Sequence, residues 1–378
     1  MSGQLKEEFT RRKFLLTVGQ SLMTVPVAGA FASCAMAQKV PEPPGKKLGW
    51  ALVGLGNLSI NQLLPAFAKC EKSKLVALVS GNLDKATKLA ARYGVNPKNI
   101  YNYQTYDTIR DNPEVDVIYV VLPNSMHAEY TIRAAEAGKH ILCEKPMANT
   151  PQECQQMIDA ARKANRRLMI GYRLRYELHN REMIRIAREK ELGLLKVILA
   201  DAGFNIGDPN QWRLKKAMAG DGSLMHIGIY ALNAARYISG EEPSEVTALS
   251  YTTPGDPRFK EVEETINFQL RFPSGVLANC TSSYGAGLNR FRGVATEGWF
   301  ELEPALSYTG LRMRVGRGGK LEERAHPQRD HFAAEMDHLS ECIRNNTEPL
   351  TPGEEGLRDL KVMMAIYEAT RAGQTIKL

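Results

Sequence analysis

A glycine-rich turn between a strand-like and a helix-like segment is the feature that most constrains the fold. Its sequence, GLGNLS at residues 54–59, follows the apolar segment LGWALV and precedes a helical pattern over 60–70. Gly54 permits a tight turn, Gly56 lets the backbone approach a ligand, and the helix N-terminus favours negative charge. Ser59 stands where a third glycine is usual, yet it is small enough for close packing of helix on strand. The pattern predicts a doubly wound α/β sheet that holds a pyrophosphate.

Strand-like and helix-like segments alternate through residue 172. Strand patterns fall at 48–53, 75–80, 116–122, 139–143 and 168–172, and helical patterns at 60–70, 83–93, 127–137 and 151–164. Alternation at this spacing specifies a parallel sheet with right-handed crossovers. The alternative that residues 54–59 form a glycine-rich turn with no binding role is therefore the weaker interpretation. We therefore predict a Rossmann domain over 48–172.

Beyond residue 172 the chain changes to segments in which apolar and polar residues alternate. They fall at 197–204, 245–251, 265–272, 276–284, 290–295 and 298–302, and amphipathic helices follow at 332–344 and 357–372. This predicts an α+β domain over 173–378, built on a large, open, mostly antiparallel sheet. Its C-terminal helices could pack back on the first domain. Because a broad sheet with one uncovered face usually pairs with another copy, we expect a homodimer or homotetramer.

The first 37 residues have the pattern of an export signal. Arg11 and Arg12 precede an apolar stretch, and the sequence AMA at 35–37 offers a cleavage site. This predicts a twin-arginine signal, a route for folded proteins, and hence a periplasmic location. Cys34 fits a lipoprotein box only loosely, so export is favoured over lipid anchoring, and polar interruptions argue against a stable membrane span. A proline-rich arm, 38–47, follows the signal.

Composition excludes several other functions. The chain has 378 residues, of which 43% are hydrophobic and 24% charged, enough for two domains with their own cores. The net charge is +7, but the basic residues are scattered and form no run interleaved with aromatics, so no nucleic-acid partner is expected. The six cysteines show neither a CxxC pair nor metal-ligand spacing, so we expect no disulfide framework and no metal site.

The end of the second predicted strand indicates which dinucleotide binds. NAD-binding folds usually place an Asp or Glu there, for the ribose 2′-hydroxyl. Here the strand ends in Ser80, Gly81 and Asn82, the first acid is Asp84, and Lys85 comes next. Serine and asparagine can donate to a 2′-phosphate and a lysine attracts it, so NADP is favoured. The alternative for Lys85 is a solvated lysine on the first turn of a helix.

Two segments carry candidate catalytic residues. The sequence CEKP ends a predicted parallel strand at the sheet edge where ligands bind, which places Glu144 and Lys145 at the cleft. In GSLMHIGIY, Ser223 is a candidate N-cap, and His226 and Tyr230 share one helical face. The charge of Lys145 would lower the pKa of the phenol, so that Tyr230 takes a hydroxyl proton as hydride leaves the same carbon. The spacing alone fits equally a tyrosine in the core and a histidine in a surface contact.

These motifs together resemble the Gfo/Idh/MocA oxidoreductase family, and within it the glucose–fructose and aldose–aldose oxidoreductases. The resemblance covers residues 48–375. The motifs that carry it are VGLG at 53–56 with NQ at 61–62, LVSGN at 78–82, LPNS at 122–125 followed by HAE, EKPM at 144–147, MIGYR at 169–173, QWRL at 211–214, GIY at 228–230 and PGEEG at 352–356. So many motifs in the same order are highly specific.

The resemblance implies residue roles as well as a fold. Lys145 matches the family's cleft lysine, Tyr230 its proton-transfer tyrosine, and Arg173 and His226 complete the positions expected around the sugar. The family usually has an aspartate where this chain has His226, which implies altered substrate choice or a second proton donor. The cofactor-binding positions that we predict are Gly54, Leu55, Gly56, Asn57, Leu58, Ser80, Gly81, Asn82, Lys85, Tyr103, Leu122, Pro123, Asn124, His127, Glu144, Lys145, Arg173, Trp212, Arg213 and Tyr284.

We therefore expect an exported sugar oxidoreductase with tightly bound NADP. The resemblance implies that it oxidises an aldose at C1 to a lactone and reduces a second sugar carbonyl to an alditol. Exported relatives of this kind carry NADP out already bound, although the short arm here only partly resembles the longer arm that wraps the cofactor there. Two alternatives stay open: an NADP-dependent sugar dehydrogenase with an exchangeable cofactor, and a catalytically inactive sugar-binding protein. Intact Lys145 and Tyr230 count against the second.

Overall fold

A six-stranded parallel sheet begins the described part of the chain, which covers residues 46–378 of this computed structural model. Its strands are β1 (Leu48–Val53), β2 (Ser73–Val79), β3 (Ile100–Tyr101), β4 (Val117–Val120), β5 (His140–Glu144) and β6 (Leu168–Gly171). The strand order in space is β3-β2-β1-β4-β5-β6, which is a doubly wound Rossmann arrangement. The predicted signal, 1–37, and all but the last two residues of the predicted arm, 38–47, lie outside the described residues.

The helices that cross between these strands begin and end at recognisable signals. They are α1 (Leu64–Phe67), α2 (Leu83–Tyr93), α3 (His127–Glu136) and α4 (Pro151–Lys163). The helix predicted over 60–70 is a π-helical turn, Ser59–Leu63, that continues into α1. Asn82 caps α2 by accepting from the main-chain N–H of Lys85, and Gly94 ends the helix with a φ of 69°.

A nine-stranded sheet is the second sheet of the described residues. Its strands are β7 (Leu195–Gly203), β8 (Glu245–Tyr251), β9 (Thr265–Arg271), β10 (Leu277–Ser283), β11 (Leu288–Ala295), β12 (Gly298–Leu302), β13 (Met313–Arg317), β14 (Lys320–Arg324) and β15 (Ile376–Lys377). They lie in the order β14-β13-β12-β11-β7-β10-β9-β8-β15. Only β7 and β10 run parallel, so the sheet is mostly antiparallel and the predicted fold class is confirmed.

Helices cover one face of the large sheet and also reach the Rossmann sheet. The remaining helices are α5 (Leu178–Arg188), α6 (Lys216–Ala219), α7 (Ile229–Ser239), α8 (His331–Asn345) and α9 (Gly353–Ala372). From α8, Ser340 Oγ accepts from the indole of Trp50 in β1 at 3.1 Å, and Phe332 and Leu339 join the core cluster around that tryptophan. Just before α9, Thr351 Oγ1 donates to the carbonyl of Ile170 at 2.8 Å. These contacts join the end of the chain to the Rossmann sheet, and α9 packs on β8 of the large sheet.

Several features bear on the remaining predictions. Among residues 46–378, no helix has the length and apolar character that crossing a membrane requires. The same residues contain no group of three or more His, Cys, Asp or Glu side chains arranged to hold a metal ion. Five cysteines in this part of the chain are buried, and their thiols are free.

Candidate active site

A cleft of about 1350 Å³ lies at the carboxyl ends of the Rossmann strands and extends to the large sheet. This is the edge at which open α/β sheets bind ligands. Of the predicted cofactor-binding residues, those that line the cleft are Gly54, Leu55, Gly56, Asn57, Leu58, Ser80, Gly81, Asn82, Lys85, Tyr103, Leu122, Pro123, Asn124, His127, Glu144, Lys145, Arg173, Trp212 and Arg213. The predicted substrate residues His226 and Tyr230 line it as well.

The glycine-rich turn forms one end of this cleft. Gly54 has a φ of +89°, and a Cβ built on it would lie 2.1 Å from the carbonyl oxygen of Val121, so only glycine fits. A Cβ on Gly56 would meet nothing within 4 Å, which leaves its backbone open for a ligand. Ser59 Oγ donates to the carbonyl of Gly54 at 2.5 Å and holds the turn against the helix. The turn therefore fits a pyrophosphate.

Next to the turn, the end of β2 offers donors without a carboxylate. Asn82 Oδ1 is used to cap α2, which leaves the Asn82 amide hydrogens for a ligand. Lys85 Nζ donates to the carbonyl of Leu55 at 3.4 Å, so its ammonium group lies beside the glycine-rich turn. Gly81 lies against the ring of Tyr103, since a Cβ there would be 3.1 Å from the ring. The site suits a phosphorylated ribose.

Three side chains from separate parts of the chain meet at the other end of the cleft. Lys145 follows β5, Arg173 follows β6, and Tyr230 lies in α7. Arg173 Nε donates to Tyr230 Oη at 3.1 Å, and Lys145 Nζ lies 4.5 Å from the centroid of the Tyr230 ring. Lys145 Nζ also donates to the main-chain oxygen of His226 at 2.7 Å. One cation thus contacts the phenol at its oxygen, and the other at its ring face.

Burial shifts the pKa values of Tyr230 and Lys145. It raises the pKa of Tyr230, and Arg173 opposes that increase through its charge and its hydrogen bond. Burial also lowers the pKa of Lys145 to about 7; Glu144 opposes this shift, and Arg173 and Arg213 add to it. The sequence predicted that Lys145 lowers the pKa of the phenol. The structure assigns that contact to Arg173, because the Lys145 ammonium group is bonded to a carbonyl and not to the hydroxyl.

Glu144 supplies a fixed carboxyl group beside Lys145. Its Oε1 accepts from Tyr119 Oη at 2.7 Å, and its Oε2 accepts from the main-chain N–H of Lys145 at 3.3 Å. A Cβ on Gly171 would lie 3.1 Å from Oε1, so glycine in β6 leaves room for the carboxyl. Burial raises the pKa of Glu144, and the charge of Lys145 opposes the shift. Glu144 therefore balances the cations around the phenol.

His226 lies in the cleft wall in a defined tautomer. Its Nε2 accepts from Arg213 Nε at 2.9 Å, and because a guanidinium group only donates, the neutral ring carries its hydrogen on Nδ1. Burial lowers the pKa of His226 well below its usual range, and the charges of Arg213 and Lys145 add to this. A neutral imidazole is a poor acid, so the geometry favours a positioning role in which the carbonyl holds Lys145 and the ring holds Arg213.

Three residues lie differently from what the sequence predicted. Tyr284 is fully buried outside the cleft, where its ring packs 5.5 Å from that of Phe204 and 5.9 Å from that of His226. His127 lines the cleft, but both ring nitrogens lie 2.8 Å from main-chain carbonyls, those of Pro146 and Leu122, so the ring joins two strand ends. Ser223 has helical backbone angles and makes no capping bond from its side chain.

Sequence reasoning missed part of the cleft wall. A loop between β12 and β13 contributes Leu306 and Tyr308, and Phe332 comes from α8. Arg173 donates to the carbonyl of Leu306 at 2.6 Å, and its guanidinium carbon lies 4.7 Å from the centroid of the Tyr308 ring. These residues belong to no motif. The sequence offered one indication, Tyr308, which stands in a segment without a strand or helix pattern.

Comparison with known proteins defines the class first. Residues 48–172 match the domain described as "Oxidoreductase family, NAD-binding Rossmann fold", so this is an oxidoreductase whose glycine-rich turn belongs to a nicotinamide dinucleotide site. Residues 180–301 match the "GFO/IDH/MocA C-terminal domain". The chain belongs to the Gfo/Idh/MocA oxidoreductase family, as its motifs predicted.

Individual relatives extend this result. The chain is 31% identical over 339 residues to the D-xylose 1-dehydrogenase [NADP(+)] of Haloarcula marismortui, covering 87% of this chain and 92% of that protein. The crystal structure of an aldose–aldose oxidoreductase from Caulobacter crescentus, complexed with glycerol, is 52% identical with a TM-score of 0.87, covering 88% of this chain and all of that one. A 3-ketoreductase from Actinomadura kijaniata in complex with NADP shares the fold at 22% identity, with a TM-score of 0.77 over 86% of this chain and 98% of that one.

Proposed function

We propose that this protein transfers hydride between two sugars through a tightly bound NADP. In the first half-reaction the C1–H bond of a cyclic aldose breaks with loss of hydride, the C1 hydroxyl loses its proton, and a lactone forms. In the second, the carbonyl of another sugar gains hydride and a proton and becomes an alditol. The observation that carries the proposal is the contact between Arg173 and the hydroxyl of Tyr230, beside Lys145, at the end of a dinucleotide cleft. Similarity to the aldose–aldose oxidoreductase supports it.

The side chains have separate tasks in this reaction. Tyr230 accepts the hydroxyl proton during oxidation and returns a proton during reduction. Arg173 stabilises the phenolate through its bond to Oη. Lys145, held by the His226 carbonyl, presents its amine to the same space and orients the sugar hydroxyls. When bound, NADP supplies the acceptance and donation of hydride.

The preference for NADP rests on Lys85 and on the polar end of β2. A hydrogen bond to a charged group contributes about 1.5–3 kcal/mol, which corresponds to roughly ten- to a hundredfold in Kd. We expect Lys85→Ala to weaken NADP binding by that factor and to leave NAD binding unchanged, as measured by titration of cofactor-free protein. Equal effects on both dinucleotides would assign Lys85 to the solvated surface instead. The NADP-dependent relative supports the preference.

Retention of the cofactor separates this proposal from an ordinary dehydrogenase. We propose export through the twin-arginine route with NADP already bound, since a compartment without a nicotinamide pool requires a cofactor that stays. Nanomolar binding corresponds to about −12 kcal/mol. The purified protein should therefore convert a mixture of two sugars to lactone and alditol without added nucleotide. Turnover only with added NADP would favour the dehydrogenase with an exchangeable cofactor. No turnover with or without added NADP would favour the inactive sugar-binding protein.

The uncovered face of the large sheet supports a homo-oligomer. Leu249, Leu277 and Leu321 are 74%, 42% and 62% exposed. The strand register places them on the same face, opposite the helices. We propose that a second copy covers this face. Light scattering should give a dimer or tetramer, and Leu249→Glu combined with Leu277→Glu should give monomers.

A further inference from the structure

The helix that carries Tyr230 begins with a turn that another part of the chain holds in place. A π-helical turn, Leu224–Gly228, leads into α7. The main-chain N–H of Gly222 donates to Glu263 Oε2 at 2.7 Å, and that of Leu224 donates to Glu263 Oε1 at 2.9 Å. Glu263 precedes β9 and is about forty residues away in sequence, yet it satisfies main-chain N–H groups on both sides of Ser223, the predicted cap.

Further contacts fix the carboxyl group of Glu263 itself. The Tyr367 hydroxyl in α9 donates to Oε1 at 3.2 Å, and the Ser223 hydroxyl does so at 3.4 Å. Gly222 permits the close approach, since a Cβ there would lie 2.2 Å from the Glu263 carbonyl oxygen and 2.5 Å from Oε2. The carboxyl group is therefore packed between α9 and the start of the catalytic helix.

The turn held by Glu263 positions every proton-handling group of the proposed mechanism. His226 lies in the turn, and its carbonyl accepts from Lys145 Nζ. Tyr230 follows in the first turn of α7, where Arg173 contacts its hydroxyl. A shift of the turn would move the His226 carbonyl and the phenol together, and displacements of about 1 Å cost roughly 10²-fold in rate when reacting groups must be aligned.

We propose that Glu263 is a positioning residue for catalysis, which holds the turn that aligns Lys145, His226 and Tyr230. This inference rests on the proposed function, because its effect is read in hydride transfer from an aldose. Glu263 contacts neither the cleft nor the phenol, so it acts through the backbone of the turn.

The effect of Glu263 comes from two carboxyl oxygens, each of which accepts from a main-chain N–H of the turn. Burial and the neighbouring Asp221 raise the pKa of Glu263 to about 8. An amide of the same length keeps one of these acceptors but places its NH2 group against the other N–H, whereas a carboxylate one methylene shorter keeps both acceptors and cannot span the same distance. Glutamine and aspartate should therefore each replace Glu263 only in part.

The test is a series of three variants with a matched control. We expect Glu263→Ala to lose about 10²-fold in kcat, and Glu263→Gln and Glu263→Asp, which each keep part of the interaction, to lose less than alanine but clearly more than the Glu264 control. The KM for the sugar and the amount of bound NADP should change little, and the isotope effect with a C1-deuterated aldose should increase because hydride transfer becomes slower.

The control is Glu264→Ala. Glu264 is also buried and accepts from the main-chain N–H and the hydroxyl of Thr253 at 2.8 and 2.7 Å, away from the turn. It should lower the melting temperature without changing kcat.

Two results would overturn the proposal. One is wild-type kcat in folded Glu263→Ala, which would make Glu263 a stability residue like Glu264. The other is wild-type kcat in folded Glu263→Gln, which places an NH2 group against a main-chain N–H of the turn; this result still decides if the alanine variant does not fold. Failure of the proposed function would appear separately, as absence of aldose oxidation in the wild type.

Discussion

Arg173 offers the sharpest test of how the phenol is activated. Its Nε donates to Tyr230 Oη at 3.1 Å, and the arginine is only 6% exposed. A hydrogen bond to a charged partner contributes about 1.5–3 kcal/mol, and one pKa unit corresponds to about 1.4 kcal/mol. Replacing Arg173 by methionine should therefore raise the pKa of Tyr230 by about one to two units.

The consequence for activity has a definite sign. In the proposed mechanism, oxidation of the aldose requires the phenolate, so its rate should rise with pH until Tyr230 is deprotonated. Because burial already raises the pKa of Tyr230, neutral pH lies on the rising part of the profile. Arg173→Met should lower the oxidation rate at a fixed neutral pH by about ten- to a hundredfold, and activity should recover as the pH is raised. The assay is the initial rate of aldose oxidation across the alkaline range.

Arg213→Met provides the matched control. Arg213 is another cation of the cleft wall, but its Nε contacts the His226 ring at 2.9 Å and not the phenol. Its loss should leave the midpoint of the alkaline rise where it is in the wild type. The reasoning is refuted if Arg173→Met shows the wild-type midpoint, or if both variants shift it equally.

Other predictions concern the dinucleotide turn, the buried lysine and a buried acid. Gly54→Ala should lower the unfolding free energy by about 1–3 kcal/mol and should also lower the NADP content. Gly56→Ala should lower the NADP content alone, because only Gly54 has a positive φ and a blocked Cβ position. Melting curves and the amount of bound nucleotide distinguish the two variants. Burial lowers the pKa of Lys145 from 10.5 to about 7, so between these pH values the unfolded chain binds more protons than the folded one. The unfolding free energy of cofactor-free wild type, measured relative to Lys145→Met, should therefore rise with pH by up to about 1.4 kcal/mol per pH unit. A difference that does not change with pH would contradict this prediction. Among residues 46–378, the two buried carboxyl oxygens of Glu335 have no hydrogen-bond partner, and burial raises the pKa of this group well above its usual range. Glu335→Met should therefore stabilise the protein by about 1–3 kcal/mol, and a lower urea midpoint would disprove this prediction.

Local sequence patterns predicted the Rossmann domain because the features that define it depend on residues that are neighbours in sequence. The buried strands and the glycine at residue 54 with its positive φ each depend on neighbouring residues, so their sequence is sufficient evidence. The same holds for the positions of Lys145 and Tyr230, whose motifs end a strand and start a helix. Strands β13 and β14 were missed; β14 lies at the edge of the large sheet, is largely exposed and lacks an alternating apolar face.

The rest of the site depends on contacts between distant parts of the chain. Nothing near Arg173 in sequence indicates that its guanidinium group reaches Tyr230 and the Leu306 carbonyl. Likewise, Ser223 has the residue type of a cap, but its hydroxyl donates to Glu263 from another element, and Glu263 accepts from the N–H groups of Gly222 and Leu224 on either side of it. Tertiary packing, which sequence patterns do not encode locally, decides both cases.

Tyr230→Phe tests the central claim most directly, namely that this phenol transfers the sugar hydroxyl proton. The variant removes one oxygen from a residue that is only 7% exposed, so the fold and the NADP content should be retained. We predict that turnover with paired sugars falls by about 10²–10⁴-fold, the contribution typical of general acid–base catalysis. Near wild-type turnover in the folded, NADP-containing variant would contradict the mechanism.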